Sequence, residues 1–280
     1  MNTVDPASVK ALRDMTGVGL ADCKKALSEK GNIEDAVKYL REKGIASAAK
    51  KADRETHEGA CCIVSEKHRA TILKLSCETD FVARNEKFHA IIRSISSDLH
   101  SKSINSIEDA KESTKDLISE QISVVGENMS IAGLGSVSIK SGVISSYIHT
   151  AYADNIGKKA CIIGLESDSK NESELNEIGK KICMHIVAMK PEFVSASEIS
   201  EEFKSSEKEI YKAQMADMKK PQEIIDKIIE GKLAKTMSEK TLLDQDFCID
   251  PSMKVKDFIA GAEKSLSTKI SLTNFVFFEI

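Results

Sequence analysis

Seven cysteines and six histidines are the side chains in this 280-residue sequence that covalent or metal chemistry would use first. A zinc site calls for C-x-x-C pairs or close relatives of that spacing. The nearest approach is the adjacent pair Cys61-Cys62, with Cys77, His57 and His68 close in sequence. Neighbouring residues on a strand point to opposite faces, so both thiols cannot readily hold one ion. The remaining cysteines, Cys23, Cys161, Cys183 and Cys248, are scattered. None of His57, His68, His89, His100, His149 and His185 sits in a nucleophile elbow or another local catalytic signature. There is no G-x-x-x-x-G-K-[ST] loop and no G-x-G-x-x-G after a strand, and Gly133-Leu134-Gly135 is too short to serve. The expectation is a protein with no catalytic residues, no metal, no cofactor and no nucleotide site of its own.

One segment invites a different chemistry. Thr79-Asp80-Phe81-Val82-Ala83-Arg84-Asn85 follows a strand pattern and precedes a helical one, with no alternation that would bury Phe81. Two readings stay open. Thr79 or Asp80 caps a helix and Phe81 joins the core, or a tight turn offers a polar group and a protruding ring to a partner, as interface hot spots do.

The elements that must carry this segment follow from caps, stops and periodicity. Asp5-Pro6 opens a helix with Val9, Leu12 and Met15 at helical spacing, ended by Gly17 and Gly19. A second helix over 20–29 faces inward with Leu20, Cys23 and Leu27 and stops at Gly31. A third is capped by Asn32, turns Ile33, Val37 and Leu40 inward and ends at Gly44, before an Ala- and Lys-rich helical linker over 45–57. Three such helices form a small interaction module. Strands are predicted over 60–65 and 70–77 as a hairpin turning at Lys67-His68, the second half-buried because Leu73, Leu75 and Cys77 alternate with Lys74 and Ser76. Phe88, Ile91, Ile92, Ile95 and Leu99 mark a helix, and a further helix is read over 117–125. Strands return over 130–139, 143–152 and 159–165. Leu175, Ile178, Ile182, Ile186 and Met189 mark a helix that closes at Lys190-Pro191. A polar helix with a narrow stripe (Ile199, Phe203, Ile210, Gln214, Met218) and one begun by Pro221 (Ile224, Ile225, Ile228, Ile229, Leu233) read as a projecting antiparallel hairpin. Residues 247–264 return to the body, and 270–280 form a final strand. The class is α+β.

Composition bounds the function. Lys+Arg 40 against Asp+Glu 44 gives a net charge of −4, which excludes an autonomous nucleic-acid binder of the basic kind. Lys50-Lys51 and Lys219-Lys220 lack the interleaved aromatics of a single-strand groove and read as solvated charge. No apolar run approaches the roughly 20 residues that span a bilayer, so no membrane is implied. An odd number of scattered cysteines and no secretion signal fit a reducing cytoplasm.

Several segments together resemble elongation factor Ts, the guanine-nucleotide exchange factor family that acts on elongation factor Tu. They run from Val9-Lys10-Ala11-Leu12-Arg13 and Met15-Thr16-Gly17-Val18-Gly19 through Asp22-Cys23-Lys24-Lys25-Ala26-Leu27 to the Thr79–Asn85 segment. Gly126-Glu127-Asn128, Tyr147 with His149, Met184-His185, Lys190-Pro191-Glu192-Phe193, Ile229-Glu230-Gly231-Lys232-Leu233 and the later Leu243, Gln245, Phe247 and Pro251 continue the series in the family's order. The resemblance implies an N-terminal three-helix ubiquitin-associated-like domain with linker (1–54), a two-part α+β core with antiparallel sheets (55–140 and 141–195, returning over 239–280), and an inserted antiparallel helical hairpin (196–238). It implies that Thr79, Asp80, Phe81 and Val82 disturb the GTPase's magnesium site. It further implies partner contacts by Arg13, Leu20, Ala21, Val125, Gly126 and His149, with a homodimer or a heterotetramer with the partner left open. The chain departs from the family at Ala132-Gly133, where members often carry two arginines, and it stops at Ile280 without the C-terminal helical module of some members. Two rivals remain: an adaptor whose three-helix module binds a helix or ubiquitin-like partner, and an oxidoreductase or hydrolase using the thiols.

Overall fold

Asp5 begins the first helix, accepting from the backbone N–H groups of Ala7 and Ser8 with Pro6 at the first helical position. The computed structural model of the chain describes residues 4–215, 218 and 221–280. Helices α1 (Pro6–Thr16), α2 (Leu20–Lys30) and α3 (Ile33–Lys51) bury Val9, Leu12, Cys23, Ala26, Leu27, Ala36 and Leu40 among themselves. Met15 does not join them and is 68% exposed. Each three-residue step falls roughly 60° short of a full turn, so a second such step carries the side chain off the core face. Leu20 also turns outward: it opens α2, ahead of the turn that packs through Cys23. Gly44 does not end the third helix. A Cβ there would come 3.2 Å from the Ser123 Cβ, so this glycine lets α3 lie close against a later helix instead.

The remainder is an antiparallel α+β body made of two halves with the same plan. In the first, β1 (Glu58–Ser65) and β2 (Arg69–Cys77) form a hairpin; α4 (Asp80–Ala83), α5 (Glu86–Ser101) and α6 (Ile107–Val125) follow, and β3 (Met129–Ser138) returns beside β2. Helix α6 starts ten residues earlier than its apolar pattern reads, because Ser106 caps a polar first half by accepting from Asp109 N–H. In the second half, β4 (Val143–Ala153) and β5 (Ile156–Glu166) form the hairpin. Next come α7 (Glu172–Met189), α8 (Glu201–Gln214), α9 (Gln222–Lys240), the short β6 (Asp246–Phe247) and β7 (Asp250–Lys254), and α10 (Val255–Leu266). Strand β8 (Ser271–Glu279) then pairs with β5. The second strand is central in both halves, and β1 joins them by pairing Cys61 with Gly157 and Cys62 with Ile156.

The strands thus form one six-stranded sheet, in the order β3-β2-β1-β5-β4 with β8 also on β5, and its two halves (the first and second sheet) fold face to face. Cys61, Ile63, Ala70, Ile72 and Val137 pack against Ala160, Ile162, Val276 and Phe278 between them. The outer face of the first sheet is covered by α5 and α6, through Phe88, Ile92, Ile95, Leu99 and Ile122. The outer face of the second is covered by α7 and α10, through Leu175, Ile182, Ile186, Val255 and Ile259. Cys61 and Cys62 accordingly fall in different cores. Strand β2 is therefore not half-wet: Thr71 and Ser76 are buried, and Lys74 reaches across to donate to the Glu279 carbonyl at 2.6 Å. Its alternation separates two buried faces rather than core from water. At the unusual Ala132-Gly133 site, a Cβ on Gly133 would lie 3.0 Å from the Phe278 ring, and one on Gly135 would lie 2.6 Å from Val276. Small residues on β3 are what let β8 cross over it.

Helices α8 and α9 lie antiparallel. Tyr211 and Thr236 share a 2.6 Å hydroxyl bond, and the Lys240 ammonium sits 5.4 Å over the Phe203 ring. The apolar stripe is thinner than its spacing implies. Of the residues predicted inward on α9 only Ile229 is buried, while Ile210, Met218 and Ile224 are exposed. Ile199 lies ahead of α8 and is buried; Met189, at the end of α7, is exposed. Lys219-Lys220 lie outside the described residues.

His185 on α7 fixes the chain where it comes back from α9. Its Nε2 meets Gln245 Oε1 at 2.8 Å, and its Nδ1 accepts from Cys248 N–H at 3.1 Å, so the ring is neutral with its proton on Nε2. Burial pushes its pKa below the ordinary 6.5. The unfolded ring takes up a proton that the folded one refuses, so this contribution is complete above the unfolded value and drains away as the pH falls below it. We expect thermal stability to drop as the pH falls through the ordinary value of 6.5, and to drop less steeply in His185→Gln, which cannot titrate. Equal slopes in the two proteins would show that His185 does not carry the effect.

Candidate partner-binding turn

Strand β2 ends at Cys77, and within two residues the chain turns into a single helical turn. Thr79 is extended (φ −124°, ψ 155°) and caps α4, its Oγ1 accepting from Val82 N–H at 3.4 Å. Ala83 is buried and Val82 packs against the first core, so the turn's inward side is spoken for. Phe81 is left on the outward side and is 83% exposed. Of the two sequence readings, the cap is Thr79 and the ring protrudes. An unburied aromatic side chain forgoes about 2 kcal/mol of burial free energy, so the fold itself gives no reason for a phenylalanine here.

The turn is braced on one side by a stack of rings. Asp80 faces the Arg84 guanidinium at 3.6 Å, Arg84 lies over the Tyr152 ring at 5.5 Å, and Tyr152 stacks on His89 at 6.0 Å. His89 Nε2 in turn bonds the Ala83 carbonyl at 2.9 Å. On the other side, Glu127 receives two donors from one residue: Thr79 N–H at 3.0 Å and Thr79 Oγ1–H at 2.6 Å. Next to it, Asn128 N–H donates to Glu78 Oε1 at 2.6 Å. Asn128 Nδ2 donates to the carbonyls of Arg54 and Ala52 beyond α3, at 2.8 and 3.3 Å, and Lys51 Nζ donates to the Gly126 carbonyl at 2.8 Å. Gly126 takes φ +89°, which ends α6 and turns the chain into this post, a conformation that suits glycine.

Burial holds several of the thiols back from ionising. Burial, aided by the Glu127 charge, pushes Cys77 up to about 12, and burial does the same to Cys61. Six of the seven cysteines are buried, and Cys248 is the exposed one. Among the described residues no group of three or more His, Cys, Asp or Glu side chains could hold a metal ion. Also among them, no helix is long and apolar enough to cross a membrane.

The other candidate contacts are dispersed. Arg13, Leu20 and Ala21 are exposed on α1 and α2 and do not touch the turn. Their module is tied to the post through the end of α3, where Lys51, Ala52 and Arg54 bond Gly126 and Asn128, and lies close to α6 at Gly17, where a Cβ would stand 3.4 Å from Val124. Val125 and Gly126 lead directly into Glu127 and so belong to the turn's support; Val125 also lines a groove of about 380 Å³ with Gly17, Ile91 and Leu117. His149 is exposed on β4, 3.2 Å from the Tyr147 hydroxyl and three residues before Tyr152. Reading the sequence missed Glu78, Glu127, Arg84 and Tyr152 as supports. Gly126-Glu127-Asn128 stood out only as a matching segment, and nothing in one sequence shows that position 127 returns to position 79.

A family model described as Elongation factor TS matches residues 78–280. Elongation factor Ts of Ehrlichia canis (strain Jake) is 39% identical over 285 residues, covering 99% of each chain. The protein of that name from Rickettsia felis is 34% identical and covers 99% of this chain and 92% of its own. That from Wolbachia pipientis wMel is 38% identical over 97% of this chain and 96% of its own.

An exposed ring that packs on nothing contributes little to folding. In urea unfolding, Phe81→Ala should change stability by under about 0.5 kcal/mol. Phe88→Ala, which empties a fully buried site on α5, should cost about 3–5 kcal/mol. A large loss in Phe81→Ala would mean that the ring is packed in solution.

Proposed function

This chain belongs to the elongation factor Ts family, and we propose that it is a translation elongation factor that releases GDP from elongation factor Tu with Phe81 as its wedge. The observation that carries the mechanism is the 83% exposed Phe81 ring on a turn whose polar groups are already engaged. A rigid apolar ring can enter a partner's interior and push side chains aside without paying to order itself first. Asp80 beside it adds a carboxylate near the magnesium that bridges nucleotide and GTPase. Disturbing the ligands of that ion weakens the electrostatic hold on the phosphates. The energetics are those of linkage: a factor that binds the nucleotide-free GTPase more tightly than the GDP form must weaken GDP by the same ratio. GTP then rebinds and displaces the factor. The role needs no chemical active site, metal or cofactor in this chain.

The same reading assigns the rest of the molecule. Residues 1–54 act as a ubiquitin-associated-like domain that contacts the GTPase through Arg13, Leu20 and Ala21, while Val125, Gly126 and His149 add contacts from the core. Residues 55–140 and 141–195 with 239–280 form the two core halves, and 196–238 form an inserted helical hairpin, although α9 continues to Lys240. The work is done in the cytoplasm on a protein partner, without nucleic acid or membrane, in a heterotetramer or as a homodimer. The adaptor alternative would use the three-helix module and have no use for Phe81.

Stopped-flow release of a fluorescent GDP analogue from the cognate elongation factor Tu tests this. The protein should accelerate release, and Phe81→Ala should lose at least about tenfold of that acceleration, or about 1.4 kcal/mol of the barrier. If the ring works through magnesium, chelating the ion should speed spontaneous release and shrink the difference between the two proteins. Acceleration unaffected by Phe81→Ala would move the mechanism to other contacts, and no acceleration by folded protein would remove the function.

A further inference from the structure

Glu127 does more than cap a loop. It lies on the segment between α6 and β3, remote in sequence from the turn, yet both of its carboxylate oxygens are committed to one residue of that turn. The Thr79 hydroxyl then has its proton aimed at Glu127 and a lone pair left for Val82 N–H. That single orientation makes Thr79 a fixed cap rather than a rotating one, and the start of α4 is set by it. Glu78 returns the bond in the other direction by accepting from Asn128 N–H. Two acids on adjacent sides thus cross-link residues 78–79 with residues 127–128, and none of the three bonds involves Phe81 or Asp80. Charged acceptors make these bonds stronger and more directional than neutral ones.

We propose that Glu127 is a positioning residue for exchange: its two bonds to Thr79 hold the Phe81 ring at the angle from which it enters the partner. This rests on the reading of Phe81 as the wedge. A ring on a turn free to fray would have to be ordered at the moment of binding, and that cost would fall on the step that expels GDP. Glu127 acts through Thr79 and makes no contact with nucleotide or magnesium. Asn128 extends the same post to the carbonyls of Ala52 and Arg54, so the turn and the end of α3 share one anchor.

The test is a double-mutant cycle on GDP release, with Glu127→Gln and Phe81→Ala alone and together, at saturating factor and across factor concentration. Glu127→Gln keeps the size of the side chain but places an amide donor against a hydroxyl or an N–H donor. It should lower the saturating release rate about tenfold, with a smaller change in the concentration for half-effect, and urea unfolding should show it folded. In the Phe81→Ala background it should cost little more, because a positioning residue has nothing left to position. Glu127→Gln at the wild-type rate, or losses that multiply in the double variant, would overturn the proposal. If Glu127→Gln does not fold, Thr79→Val breaks the 2.6 Å bond from the other side and should show the same non-additive loss, while Thr79→Ser should restore the rate. Failure of the wedge reading looks different: Phe81→Ala itself would then be at the wild-type rate.

Discussion

Two oxygens of one carboxylate, Glu127, meet two donors of one residue, Thr79, and the shape of the candidate surface depends on that meeting. The strand β2 is fixed by the sheet up to Cys77, and α5 is fixed by its apolar face from Phe88 onward. Between them lies a short stretch that must present an apolar ring to water. Hydrophobic burial alone would draw such a ring inward or leave it loose. Here the polar groups of the turn are tied down on both sides, by Glu127 on one and by the Arg84, Tyr152 and His89 stack on the other. The ring stays out because its backbone has nowhere else to go.

A post of this kind is only as rigid as its foundation. One six-stranded sheet whose two halves fold face to face, each covered outside by helices, places buried side chains on both sides of β1, β2 and β5. Tyr152, which braces the turn, comes from the second half, while the turn itself belongs to the first. The sheet-on-sheet core is what holds these two contributions in register. Small residues at Gly133 and Gly135 are part of that requirement, since larger side chains would lift β8 away.

Elements with strong caps and a one-sided apolar face were legible in the sequence: α1 from Asp5-Pro6, α5 from its isoleucine stripe, α7 up to Lys190. The errors came where tertiary contact overrode a local signal. Gly44 looks like a stop, but it serves close packing of α3 on α6. Lys74 looks like the wet face of β2, but it bonds the Glu279 end of β8, 205 residues further on. At the site, residue types and their order pointed to Thr79, Asp80 and Phe81, while exposure of the ring could not be decided without knowing what α4 packs against. The supports at Glu127 and Tyr152 were invisible because they depend on long-range return of the chain. Carboxylates and tyrosines carry no mark of the partner they will meet.

The central claim, that the Phe81 ring is buried in the GTPase when the two proteins associate, can be read at the ring itself. A single 4-fluorophenylalanine at position 81 gives one fluorine resonance, whose shift and sensitivity to deuterated solvent report its surroundings. On titration with nucleotide-free elongation factor Tu, the account predicts a new resonance that grows in proportion to complex and loses its solvent isotope shift. A complex that forms fully while the resonance keeps its free position and its solvent sensitivity would contradict it.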